Sequence, residues 1–173
     1  PEIMLSAHNL LKPATGESIA VPTQDSVLGV YYMTKIRDGL KGNGKIFGDY
    51  KESILAYQFD EIDLQAKIKV RLSDVGLIET SVGRIILNQA LPETFPFVNQ
   101  ELKSKDIKAL VGRIFTEYGI SETATVLDKI KKVGFEYATK SGVSWGMNDL
   151  TIPKEKPRII EEARKQIEII EKY

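Results

Sequence analysis

The sequence predicts an α+β fold: mixed helices and short antiparallel strands first, then a helical region ending in one long amphipathic helix. Three observations carry this. Residues 63–72 ("DLQAKIKVRL") alternate strictly, with Leu64, Ala66, Ile68, Val70 and Leu72 on one side and Gln65, Lys67, Lys69 and Arg71 on the other. After residue 104, Ile107, Leu110, Val111, Ile114 and Phe115 recur at helical spacing. In the last segment ("KPRIIEEARKQIEIIEKY"), Ile160, Ala163, Ile167 and Ile170 follow heptad spacing. The chain divides into two segments, 1–98 and 99–173, in the order expected of an α+β arrangement.

Taken in order, residues 2–12 read as a helix that stops before Pro13, because a residue preceding proline disfavours helical geometry. "PATGES" is a turn with Gly16 at its tip, and "SIAVP" is a short strand. "VPTQDSVLGVYYMT" then passes abruptly from a proline-marked extended run into an almost wholly apolar helix. Thr23 is its expected N-cap, and Asp25 lies in the first turn, where negative charge suits the helix dipole. Val27, Val30, Tyr31 and Thr34 share its inward face, and Gly29 permits close backbone contact. "GLKGNGKIFGDY" is loop, without the spacing of a phosphate-binding P-loop. "DYKE" has capping-box spacing and opens a helix to about Tyr57. "LIETSVGRIILNQAL" reads as a second strand system with Gly83 as a bulge or close-approach site. Gly119 ends the first helix of the last part. A second follows Ser121 with Leu127, Ile130, Gly134, Tyr137 and Ala138 on one face, stopping at Gly142. "VSWGMNDLTIP" returns as extended chain, and Pro157 sits in the first turn of the terminal helix.

The composition excludes several function classes. Of 173 residues, 42% are apolar and 28% charged, as in ordinary soluble domains. There are no cysteines, so disulfides and thiolate metal sites are out. The one histidine, His8, leaves no room for a multi-histidine zinc site. Net charge is zero, which argues against a free-standing nucleic-acid binder. No apolar run reaches the roughly 18 residues of a membrane span, and no basic leader is visible. An opening at Pro1 points to a processed or excised piece.

Candidate chemistry is sparse. "FDEID" groups three carboxylates, but beside a strand they read as loop charges before metal ligands. Ser26, Ser81 and Ser144 lack a nucleophile-elbow setting. Trp145 reads as a core or interface anchor. The basic row Lys67, Lys69 and Arg71 is either a solvated sheet face or a surface turned to phosphates or an acidic partner. The seam Ile160, Ala163, Ile167 and Ile170 is narrow and calls for a partner helix, on this body or elsewhere.

The residues themselves say more than their periodicities. "MLSAHNLLKPATGESIAVPTQDSVLGVYYMT" resembles the family of the largest catalytic subunit, beta-prime, of bacterial DNA-directed RNA polymerase. Asn9, Pro13, Gly16, Pro22, Gln24, Asp25, Val27, Leu28, Gly29, Tyr31, Tyr32 and Thr34 match that family's pattern, and Ser18 stands where proline is usual. "TSVGRIIL", "FVNQELKSK" and "DKIKKVGFEYATKSGVSWGMNDLTIP" are similar to it in the same order.

The resemblance implies a pore segment, 1–98, and a funnel segment, 99–173, ending in the first of two rim helices. Together these line the secondary channel through which nucleotides enter and backtracked RNA leaves. Thr23, Gln24 and Asp25 would lie at its inner end. The partners implied are the beta, alpha and omega subunits, transcript-cleavage and other secondary-channel factors, nucleoside triphosphates and the RNA 3′ end, in the cytoplasm, with no membrane. The family's Mg²⁺-binding aspartate loop is absent from these residues, so no cofactor and no catalytic residue is expected in this segment, and none of the polymerase's activity in isolation. In an alarmone pattern of the family, Asp128 matches, while Ser121 and Lys132 depart from it and count against such a site. The alternative is a stand-alone protein-interaction module with the same fold and no enzymatic activity.

Overall fold

The structure, a computed structural model, describes residues 5, 9–14, 18–73 and 75–171. The predicted turn at Gly16 and His8 lie outside these residues, as does most of the predicted helix 2–12. Its described residues Leu10–Lys12 are not helical. The expected strand at 18–22 is reduced to one bridge, Leu11 with Ser18.

The elements run α1 (Asp25–Thr34), β1 (Ile46–Phe47), α2 (Tyr50–Gln58), β2 (Ile68–Leu72), β3 (Gly76–Thr80), α3 (Val82–Gln89), α4 (Ser104–Ser141) and α5 (Lys156–Glu171). The order confirms the α+β class. Two compact units result, Pro1–Gly142 and Val143–Tyr173.

In the first unit, β2 and β3 form an antiparallel hairpin from Ile68 opposite Thr80 to Leu72 opposite Gly76. β1 pairs with β2 in parallel, Phe47 opposite Val70, with α2 as the crossover. This parallel pair was not foreseen, because β1 is only two residues long inside a glycine-rich loop. Ala66, Ile68 and Val70 are fully buried as the alternation predicts, and Lys69 and Arg71 are exposed. Gln65 breaks the pattern. It is buried and donates its amide to the Tyr32 carbonyl at 2.5 Å. Regular pairing begins only at Ile68, so the two-residue period does not govern residues 63–66.

α2 opens as predicted. The Asp49 side chain accepts from the Lys51 amide at 3.4 Å, while Glu52 reaches one residue further back, to the Gly48 amide, at 2.9 Å.

The expected second strand system is half strand and half helix. β3 ends at Thr80, Ser81 caps, and α3 begins. Val82, Gly83, Ile85 and Ile86 are poor helix formers, so intrinsic preference misleads here. Packing prevails: Val82 and Leu87 are fully buried, and a Cβ on Gly83 would stand 1.8 Å from the Met33 carbonyl oxygen. The close approach predicted for Gly83 is therefore real, but on a helix.

α1 packs chiefly on α4, the most extensive contact between elements. Its buried face is Ser26, Gly29, Val30, Met33 and Thr34, rotated by about one residue from the predicted face. The reason is Gly29, which is pressed into α4: a Cβ there would meet the Gly134 carbonyl oxygen at 1.7 Å. α4 is made of two helical stretches joined across a kink at Gly119 (φ 77°, ψ −176°), where the sequence places the end of one helix and the start of the next. Ile107, Leu110, Val111, Ile114, Ile130, Gly134 and Tyr137 are buried as predicted, and Gly142 ends the helix in the left-handed region.

A polar lattice closes the other end of α1. The Thr34 hydroxyl donates to the Val30 carbonyl at 2.7 Å and accepts from the Leu102 amide at 3.1 Å. Arg84 Nε donates to the Thr34 carbonyl at 2.9 Å, and its Nη1 donates to the Asn99 carbonyl and Oδ1 at 3.0 Å. Asn88 and Val98 exchange two bonds, at 2.9 and 2.8 Å.

In the second unit, a short 3-10 turn at Met147–Asp149 interrupts the extended chain and α5 follows, with Pro157 as its second residue. No residue of α5 is buried, and its surface carries the pairs Glu161–Lys165 at 3.0 Å and Arg158–Glu162 at 3.8 Å.

Gly29→Ala is expected to destabilise the 173-residue chain by about 3 kcal/mol or more, because the new methyl would run into the α4 backbone at Gly134 and Ala138. Gly112→Ala, which meets open space on α4, is expected to stabilise it by about 1 kcal/mol. Urea unfolding of both variants checks the pair of signs.

Candidate functional site: an exposed polar corner on a clamped helix

Thr23, Gln24 and Asp25 are all exposed and stand together where the chain turns into α1. The N-cap is Gln24, not Thr23 as expected, and no side chain caps the helix. Gln24 holds φ 52° and ψ −125°, a left-handed conformation that a residue with a Cβ adopts at a cost of about 1–3 kcal/mol. Its carbonyl accepts from Val27 and Leu28 at 3.0 and 3.1 Å, so the corner is continuous with the first turn of the helix. Its side-chain amide makes no capping bond and is exposed. Asp25 occupies the first turn as predicted.

The basic row does not act as one surface. Lys67 lies before β2 and pairs with Glu79 of β3 at 2.6 Å, a contact that also raises its ammonium pKa above the usual value. Lys69 and Arg71 point to solvent from β2. Among the described residues no hydrogen bond or ion pair joins the row to the corner at Thr23–Asp25.

The carboxylates of "FDEID" turn towards the glycine loop. Asp60 contacts the Lys41 ammonium at 3.4 Å, Glu61 contacts Lys45 at 3.5 Å, and Asp63 accepts from the Lys41 amide at 2.9 Å. Among the described residues no group of three or more metal-ligating side chains converges.

Ile160, Ile167 and Ile170 are exposed on α5, and Ala163 with them. Trp145 is 76% exposed, so it is not a core residue. Nor does it stand alone, since Val143, Met147, Leu150 and Ile152 are exposed along the same stretch.

Sequence reasoning missed what sits beneath the corner. Ser26 is fully buried at the α1–α4 crossing, with no hydrogen-bond partner for its hydroxyl. A Cβ on Gly134 would fall 2.6 Å from both its carbonyl oxygen and its hydroxyl. One turn of α4 further on, Tyr137 is buried, and the Lys140 ammonium lies 4.8 Å from its ring centre. Burial pushes the Tyr137 phenol well above its ordinary pKa, with Tyr57 and Glu136 adding to the effect. The paired glycines at 29 and 134 were the legible signal, but only a partner helix of known register turns them into a contact.

These features define a class: an α+β scaffold segment that fixes one exposed polar corner on a clamped helix. The particular family follows from comparison. Residues 9–150 match the family model described as RNA polymerase Rpb1, domain 3, and the chain belongs to that family. It is 44% identical over 169 residues to the DNA-directed RNA polymerase subunit beta' of Desulforudis audaxviator, and 48% identical over 168 residues to that of a Sulfurihydrogenibium species. These alignments cover 98% and 97% of the chain, but only 15% and 11% of the relatives. No helix among the described residues is long and apolar enough to cross a membrane.

The raised Tyr137 pKa sets an alkaline limit. The folded value lies above the unfolded one, near 10, so the contribution is complete below pH 10 and is lost as pH rises above it. Stability attributable to this phenol is expected to fall by up to about 1.4 kcal/mol per pH unit in that range. Tyr137→Phe should remove that slope relative to the parent chain, which urea titrations between pH 9 and 11 measure.

Proposed function

We propose that this chain is a segment of the beta' subunit of a bacterial DNA-directed RNA polymerase, the cytoplasmic nucleotidyltransferase of transcription. In this reading it walls the secondary channel by which nucleotides reach the active centre and backtracked RNA leaves. Residues 1–98 are the pore segment and 99–173 the funnel segment with the first rim helix. Mg²⁺ and the reacting groups belong to other parts of the subunit, and the isolated segment joins no nucleotides. The partners are the beta, alpha and omega subunits, with transcript-cleavage and other channel factors at the rim. Lys69 and Arg71 are the members of the basic row left to meet phosphate or an acidic partner. Ile160, Ala163, Ile167 and Ile170 take a neighbouring helix as their cover.

One observation carries the reading: a glutamine stands where glycine would relieve the backbone, and its amide caps nothing. A strained position kept by a side chain with no local bond is best accounted for by an external contact. A neutral amide both donates and accepts, so it can touch a passing ribose or phosphate without trapping charge. The role assigned to Gln24 is contact with the incoming nucleotide or the RNA 3′ end, with Thr23 and Asp25 flanking it.

Strain and function should then separate. Gln24→Gly is expected to stabilise the 173-residue chain by about 1 kcal/mol, since glycine adopts the left-handed region without penalty. The same substitution in the full-length polymerase is expected to slow nucleotide addition and the cleavage of backtracked complexes, as is Gln24→Ala. Urea unfolding and single-nucleotide extension read the two effects. Unchanged extension and cleavage rates in both variants would remove Gln24 from the channel.

A further inference from the structure

The geometry points to Gly134, on the C-terminal half of α4 and distant in sequence from the corner, as the positioning residue that sets where Gln24 stands. This rests on the role assigned to Gln24 above.

The argument is one of contact and rigidity. α1 is held at two places. Near its C-terminal end, Gly83 of α3 abuts the Met33 carbonyl and Arg84 holds the Thr34 carbonyl at 2.9 Å. Nearer its start, α4 meets it backbone to backbone. A Cβ on Gly29 would lie 1.7 Å from the Gly134 carbonyl oxygen, and a Cβ on Gly134 would lie 2.6 Å from the Ser26 carbonyl oxygen and hydroxyl. Ser26 is two residues from Gln24, within the same hydrogen-bonded first turn.

The two glycines differ in what a methyl would do. At Gly29 the obstruction is severe and threatens folding. At Gly134 the overlap is several tenths of an ångström and is aimed at the first turn of α1, whose far end is anchored. The turn that carries Gln24 is therefore the part that gives way. Ser26 adds to this. Its buried hydroxyl bonds to nothing, so no side-chain hydrogen bond from Ser26 resists a small shift of that turn, and steric contact with α4 around Gly134 and Ala138 defines its seat.

The test is a double-mutant cycle in the full-length polymerase, read as single-nucleotide extension across a range of nucleotide concentrations. Gly134→Ala is expected to raise the half-saturating nucleotide concentration about tenfold, as a displacement approaching an ångström does to a positioned group, with little change in the maximal rate. In a Gln24→Ala background the same substitution should change it by less than about twofold, because the group it displaces is gone. Gly112→Ala, on the same helix facing open space, should change nothing in either background. A merely structural role would instead lower the active fraction, and hence the maximal rate, equally in both backgrounds.

Equal effects of Gly134→Ala with and without Gln24, or no effect at all while Gln24→Ala is impaired, would overturn the inference and leave the role of Gln24 standing. An unimpaired Gln24→Ala would overturn both. If Gly134→Ala prevents assembly, Ser26→Thr, which adds one methyl from the α1 side of the same contact, goes through the same cycle with the same outcomes.

Discussion

Everything in the first unit depends on how closely α1 approaches α4. Two helices whose backbones touch need a residue without a side chain at the crossing on each side, and Gly29 and Gly134 supply them. Glycine in a helix interior costs about 1 kcal/mol against alanine, and here that cost is incurred twice. It is offset by what the approach allows. Val30 and Met33 of α1 are fully buried, and Val126 and Ile130 of α4 are nearly so. Burial of such side chains contributes about 1.5–3 kcal/mol each. The crossing also decides the rotation of α1, which is why Ser26 turns inward although its hydroxyl finds no partner there.

The polar lattice around Arg84 does what the crossing cannot. Apolar packing fixes how near α1 lies but resists sliding poorly, since it has no direction. Hydrogen bonds from Arg84 and Leu102 to Thr34 supply direction, and Asn99 ties the same group to β3 by donating to the Glu79 carbonyl at 2.8 Å. Arg84 is half-buried, and burial disfavours its charged form, which Glu101 partly restores. Removing it would leave the part-buried Thr34 carbonyl without this donor, a heavier penalty than the net worth of the bond itself. Shape thus holds the corner end of α1 and directed bonds hold its other end.

What was legible in the residues divides along the same physical line. Local, periodic features came through: the alternation of Ala66, Ile68 and Val70, the stripe from Ile107 to Ile114, the cap at Asp49 and the stop at Gly142. Features that depend on a distant partner did not. α3 was hidden because Val82, Ile85 and Ile86 favour strands locally and are helical here in a segment packed on α1 and α2. Gln65 was placed on the polar face because its bond to Tyr32 joins residues far apart in sequence. At the candidate site, the residues of the corner were legible from their resemblance to a known pattern. The conformation of Gln24 was not, since a positive φ at a non-glycine residue contradicts every local preference.

A strained backbone persists only when its surroundings over-determine it. The surroundings of Gln24 are a helix anchored by hydrogen bonds at one end and by direct backbone contact at the other. If either anchor were soft, the first turn of α1 would unwind by a residue and release the strain, and the amide would leave its place. Rigidity at the crossing and strain at the corner are therefore one device: the clamp stores the conformation that directs the side chain outward. The exposed isoleucines of α5 work by the opposite logic. Helix propensity and the pair Glu161–Lys165 support that helix without burial, and Ile160, Ile167 and Ile170 are exposed along it.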